Sequence, residues 1–246
     1  MSPHRPPRVY ALGPTLVFPD PELAGPEGLL AYGGDLRPER LLLAYAHGIF
    51  PWYTEGEPIL WWSPDPRAVL PVDALHVGRT LRRSLRRRPY RITADRCFAD
   101  VVAACARVPR RGQRGTWITA AMQRAYTRLH ALGHAHSVEV WQEDTLVGGL
   151  YGVLVGRCFS GESMFSLRSD ASKIALVHLV RHLARIGVPL VDCQVPTAHL
   201  ASMGARCVPR RQFLAWLAAG MQDPIPPGRW TWTVPPPAGA EASRTS

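Results

Sequence analysis

The 246-residue chain reads as an α+β protein built on a central mixed sheet. Two observations predict this. The runs HSVEVWQ, TLVGGLYGVLV and RCFSGESMF follow one another with the period of two that a strand imposes, joined by short turns. A strongly amphipathic helix and then a buried strand, VPLVDCQV, come next. A helix, a three-stranded meander, a helix, a strand and closing helices describe an α+β domain.

Taken in order, residues 1–30 are rich in Pro and Gly and read as an extended lead-in. A short helix follows: Pro38 suits a first turn, Leu41, Leu42 and Tyr45 give it an apolar face, and Gly48 stops it. The segment 49–67 carries four Trp/Tyr and four Pro and cannot be a regular helix. Its rings either pack a small domain or stack on a ligand. Ser63-Pro64-Asp65-Pro66 marks a boundary between a small N-terminal domain, 1–65, and a larger one, 66–225. Residues 74–91 include RTLRRSLRRR, either a solvated helix face or a phosphate contact. Asp95 is placed to cap a helix running to Arg107, PRRGQRG at 109–115 is a flexible basic loop, and Thr119 caps a helix to Leu132. After the meander, Asp170 or Ser172 opens the amphipathic helix to Ile186. Its Ile174, Val177, Val180 and Leu183 lie on one side and His178, Arg181, His182 and Arg185 on another. Helices near 197–203 and 209–221 close the domain. The Pro-rich tail, 226–246, is loosely attached, with Trp230 and Trp232 as docking candidates.

Hydrophobic content of 46% and charged content of 20% fit a globular protein. A formal charge of +10, almost all from Arg, gives a positive field that favours nucleic acid or an anionic surface. Five cysteines without a CxxC pair argue against a disulfide scaffold and a structural zinc site. No run approaches the ~18–20 apolar residues of a membrane span, and the N-terminus lacks a signal-peptide core, so a cytoplasmic protein is expected.

Chemistry concentrates in two places. FSGESMFS sets Glu162 beside a glycine, between aromatics and a methionine, in a basic chain. Asp192 and Gln194 lie two apart at the end of a strand, which puts them on one face and Cys193 on the other. They form either a site or a polar cap for the next helix. The His134/His136 pair reads as a helix end and a strand start, and no metal site is expected. No Gly has Arg or Gln three positions earlier, which counts against a pyrophosphate-cradling loop for coenzyme A.

LLAYGGDLRPERLLLAYAHGIFPWY, EPILWWSPDPRAVL, GTWIT, LGHAHSVEVW, LVGGLYGV, GESMFS, ASKIAL, LVDCQV and PRRQFL together resemble the leucyl/phenylalanyl-tRNA–protein transferase family, in order from about residue 29 to 217. The resemblance implies an acetyltransferase-like (GNAT-like) C-terminal catalytic domain. It implies transfer of Leu or Phe from the 3′ acceptor end of aminoacyl-tRNA to the α-amino group of proteins beginning with Arg or Lys; a pocket that gains only about 1–3 kcal/mol per methylene leaves room for Met. It implies that the product passes to a Clp adaptor and protease; no cofactor, no membrane and a monomer are expected. Asp192, Gln194 and Glu162 match the family's catalytic positions. Asp192 is either a base or an electrostatic orienter of Gln194, or the tRNA 2′-hydroxyl shuttles the proton, and Glu162 either holds the acceptor or positions the ester. Leu150, Phe159, Met164, Leu176, Leu179, Leu183 and Val191 match its aminoacyl pocket, and each is equally a core residue by pattern. The family often has Met at 150 and Phe at 179 and 183, where leucines stand here. Trp52 and Trp117 match aromatics placed for the terminal adenosine, with Tyr45 and Tyr126 nearby. The arginines of 82–88 and 107–114 and the basic face of 174–185 would meet tRNA phosphates. A Fem-like peptidoglycan transferase and a non-catalytic RNA-binding protein are the rival readings.

Overall fold

The computed structural model describes residues 8–87, 89–108 and 116–237. The basic loop at 109–115 lies outside the described residues.

The N-terminal part is a small sheet in the order β1-β2-β4-β3. β1 (Tyr10–Leu12) runs parallel to β2 (Leu29–Gly33), while β2 and β3 (Phe50–Pro51) run antiparallel to β4 (Leu60–Trp62). Pro38 opens α1 (Pro38–Ala46), where a missing N–H costs nothing. Gly48 ends the turn beyond it at φ 69°. A Cβ there would lie 2.6 Å from Leu214 and 2.9 Å from Phe213, so only glycine lets this corner press against the C-terminal domain. The proline- and aromatic-rich segment forms no helix, and its Trp61 is fully buried with Nε1 donating to Gly33 O at 2.9 Å.

A second sheet holds eight strands: β5 (Arg67–Pro71), β6 (Tyr90–Ala94), β7 (Ala135–Gln142), β8 (Thr145–Val155), β9 (Cys158–Ser166), β10 (Leu190–Gln194), β11 (Arg206–Val208) and β12 (Thr233–Val234). Their order is β11-β5-β10-β9-β8-β7-β6-β12. Neighbours are antiparallel except β9 and β10, which are parallel. A parallel pair needs a crossover, and α5 (Ala171–Arg185) supplies it with Ile174, Val177, Val180 and Leu183 buried. Alternation along β8 splits the core: Leu150 and Leu154 pack with α5, while Tyr151 and Val153 pack with α1, α3 (Phe98–Arg107) and α4 (Ala120–Ala131). Thr119 caps α4, its Oγ1 accepting from Met122 N at 3.2 Å. The exposed arginines of α2 (Arg79–Arg87) and the helices α6 (Ala198–Ser202) and α7 (Arg210–Gly220) complete the domain.

The structure departs from the sequence reading at several points, among them the lead-in, which carries β1 and the start of β2. β5, β6, β11 and β12 flank the expected strands but are at most five residues long, too short to print a period. Asp95 does not cap α3, whose N-cap is Cys97. Its own backbone is left-handed at φ 54°. Its carboxylate instead accepts from Ser137 N at 2.9 Å and Trp230 N at 2.8 Å and meets His136 Nδ1 at 2.8 Å. Through that contact the tail is attached rather than loose as far as residue 237. Trp230 stacks on His136 with centroids 3.9 Å apart, and β12 pairs with β6.

Candidate active site

The β9–β10 ladder ends at Ser160↔Asp192, and both strands are irregular just beyond it. Pairing of β8 with β9 passes from Tyr151↔Ser163 to Gly152↔Gly161, skipping Glu162. Pairing of β10 with β5 passes from Asp192↔Val69 to Gln194↔Ala68, skipping Cys193. Bulges of this kind re-aim side chains and end pairing. Gln194 adopts φ 63°, a backbone disfavoured by any Cβ. Its Nε2 thereby donates to Glu162 Oε1 at 2.8 Å. The Tyr45 hydroxyl donates to Oε1 and the Tyr126 hydroxyl to Oε2, each at 2.8 Å, and the two hydroxyls are 2.5 Å apart. A carboxylate can only accept, so the amide nitrogen faces Glu162 and the Gln194 carbonyl oxygen is left for another donor.

Burial pushes the Glu162 carboxyl from 4.5 up to about 7, although the three hydrogen bonds favour its charged form; the nearby Asp192 charge adds to the rise. Burial, and then the charge of Glu162, hold both tyrosine hydroxyls well above their ordinary value, so they remain donors.

Asp192 and Gln194 do not share a face. The bulge separates them: Val191, Cys193 and Gln194 line the cavity beside Glu162, while Asp192 turns away from it. There it meets Arg67, which sequence reasoning missed. Arg67 donates from Nε to Oδ1 at 2.7 Å and from Nη2 to Oδ2 at 2.6 Å. Both residues are 1% exposed. Arg67 also donates to Gly48 O at 3.1 Å and lies between the Phe50 and Phe213 rings, 4.9 and 4.6 Å from their centroids. Gln194 N at 2.9 Å and Ser160 Oγ at 3.3 Å occupy the remaining acceptor positions of Asp192. The one sign in the sequence was an arginine heading an otherwise apolar strand, RAVLP.

The cavity measures about 430 Å³, within the range of small-molecule sites. Leu150, Phe159, Leu176, Leu179 and Val191 form its buried apolar wall, joined by Met164. Leu183 does not reach it and is core. Trp52 and Trp117 line its open side, with Trp52 37% exposed and tilted on Trp62 at 5.8 Å. Tyr45 and Tyr126 are not stacking surfaces; their buried rings stand behind Glu162. Cys193, expected on the far face, is a lining thiol whose pKa burial raises. His199 and Thr197, also on the wall, carried no legible signal.

The arginines of α2 are exposed, with no ion pair among the described residues. On α5 the permanent cations are Lys173, Arg181 and Arg185. Burial, followed by neighbouring charged groups, lowers His178 and His182 to about 4 each. Among the described residues no group of three or more His, Cys, Asp or Glu could hold a metal ion. No helix there is long and apolar enough to cross a membrane.

An apolar cavity that ends on a buried carboxylate and amide has the shape and polarity to hold an apolar acyl group beside polar groups. Residues 69–218 match the family model described as leucyl/phenylalanyl-tRNA protein transferase, and residues 34–65 match its N-terminal domain. A leucyl/phenylalanyl-tRNA–protein transferase of Anaeromyxobacter sp. (strain Fw109-5) is 59% identical over 222 residues, covering 90% of this chain and 94% of that protein. Its counterpart from Nitratidesulfovibrio vulgaris (strain DP4) is 56% identical over 224 residues, covering 91% and 96%. Among solved structures, a GCN5-related N-acetyltransferase from Sphaerobacter thermophilus aligns with a TM-score of 0.34 at 16% identity, over 76% of this chain and 60% of that one. The chain belongs to the leucyl/phenylalanyl-tRNA–protein transferase family, aminoacyltransferases that take an aminoacyl-tRNA and a protein acceptor.

Proposed function

We propose that the protein transfers Leu, and with it Phe and Met, to the α-amino group of proteins beginning with Arg or Lys, marking them for N-degron degradation through a Clp adaptor and protease. The observation that carries this reading is the apolar cavity closed by the Glu162–Gln194 pair. The side chain being transferred lies against Leu150, Leu176 and Leu179, and the terminal adenosine stacks on Trp52 and Trp117, where stacking contributes about 1–3 kcal/mol per base. The acceptor amine hydrogen-bonds to the Gln194 carbonyl oxygen and attacks the ester carbon. A C–N bond forms and the C–O bond to the ribose breaks. Glu162, with its pKa near the working pH, takes the amine proton and returns it to the leaving ribose oxygen. Asp192 takes no part in proton transfer, because its oxygens are committed to Arg67, Ser160 and the Gln194 N–H; it is a positioning residue. An acid set inside a positive field also gives a cationic N-terminal residue its local attraction.

The test offers labelled Leu-tRNA with peptides beginning with Arg, with Asp and with acetylated Arg. Label on the free Arg peptide alone is expected. Label on the Asp peptide would end the cation argument, and no label on any peptide would end the transferase proposal.

A further inference from the structure

Phe159 of β9 stands in the apolar wall of the cavity and is fully buried. Along α5 the lining stops after Leu179; Leu183, about one turn further, is core. Trp230 of the C-terminal tail reaches this same turn. Its ring meets His182 with centroids 4.5 Å apart and lies behind Phe159 at 5.9 Å, with 29° between the planes. Trp230 does not line the cavity, so it sits beneath the floor that Phe159 and Leu179 form. Toward β8 the Phe159 ring has no room to yield, since a Cβ on Gly152 would come within 2.5 Å of it.

Trp230 is itself held firmly. Its backbone N–H donates to Asp95 Oδ2 at 2.8 Å, its ring stacks on His136 at 3.9 Å, and directly beyond it β12 pairs with β6. The preceding Arg229 donates from Nη2 to Asp95 O at 3.3 Å and to His130 Nε2 at 3.1 Å. A close-packed interior passes such a constraint on to its neighbours. We infer that Trp230 is a positioning residue for donor specificity: by backing Phe159 it fixes the depth of the cavity and so the size of the side chain that fits. The tail then shapes the donor site although it touches no donor atom. The inference rests on the reading of this cavity as the pocket for the transferred side chain.

The test compares donors. Wild type, Trp230→Ala and Trp230→Phe are each given Leu-tRNA and Phe-tRNA with the same Arg peptide, at a temperature where circular dichroism shows them folded. A core closes the space left by a lost side chain only in part, and Phe159 sinking into that space deepens the cavity. The ratio of kcat/KM for Phe over Leu is expected to rise about tenfold in Trp230→Ala, the low end of what one methylene of pocket space discriminates. Trp230→Phe keeps a ring behind Phe159 and should bring most of the ratio back. The KM for the peptide should not move. Lost stability alone lowers the folded fraction and slows both donors equally, so it leaves the ratio where it was. An unchanged ratio in folded Trp230→Ala, or in Trp230→Leu should the Ala variant not fold, would overturn the inference and leave the transferase reading standing. Failure of wild type to transfer from either donor would overturn that reading, and this inference with it.

Discussion

Replacing Asp192 with Asn removes the charge around which Arg67 is buried. The guanidinium is 1% exposed, makes two bonds of 2.6 and 2.7 Å to Asp192, and lies between two phenyl rings that bar water. Asn keeps an acceptor for the Gln194 N–H but turns amide donors toward a cation. Removing one partner of a buried ion pair costs about 3–5 kcal/mol, because the other charge is left uncompensated. For a chain of this size each kcal/mol moves the melting point by roughly 2–4 °C, so Asp192→Asn should melt about 6–20 °C below wild type. Arg67→Met should cost about the same. The double variant carries neither charge and should lie close to either single one, a coupling of about 3 kcal/mol. Urea unfolding at pH 7, followed by tryptophan fluorescence, gives all four stabilities. Additive costs, or single costs below about 1 kcal/mol, would refute the reasoning. A stable Asp192→Asn enzyme with a displaced pH–rate profile would return the proton to Asp192.

Glu162 adds a pH dependence of unusual sign for a carboxylate. Its folded pKa of about 7 lies above the ordinary 4.5, so its contribution to stability is full below about pH 4.5 and is lost as pH rises through 7, a change of about 3 kcal/mol. Glu162→Gln should remove that slope; equal slopes in the two proteins by chemical denaturation would contradict it. A Cβ on Gly152 would lie 2.2 Å from Ser160 O and 2.5 Å from the Phe159 ring. Gly152→Ala should therefore cost about 1–3 kcal/mol and slow transfer by shifting Phe159; an unchanged melting curve and rate would count against this. Trp230→Ala removes the stack on His136 and should cost about 3–5 kcal/mol, whereas a loosely held tail would show no change in thermal melting.

Much of the fold is legible in the sequence because its signals are local. The period-two runs of β7 to β9, the apolar stripe of α5, Thr119 before α4 and the Pro38–Gly48 bracket around α1 each act within a few neighbouring residues. The residue types of the site are legible too, in GESMFS and DCQ. Their arrangement is not, because alternation along a strand assumes an unbroken ladder. Two bulges, one skipping Glu162 and one skipping Cys193, undo that assumption and bring Glu162 to Gln194 while turning Asp192 away. A bulge is a property of two strands in register, and neither strand encodes it alone. Arg67 meets Asp192 from 125 positions away, and Tyr45 and Tyr126 converge on Glu162 from two separate helices. The tail is held by Trp230 on His136, a contact its proline-rich composition conceals. The sequence by itself determined the longer elements and the chemical groups available to the site. Only tertiary packing decided which carboxyl is paired to an arginine and which is left, raised and hydrogen-bonded, at the cavity, because desolvation and long-range pairing exist only once distant segments meet.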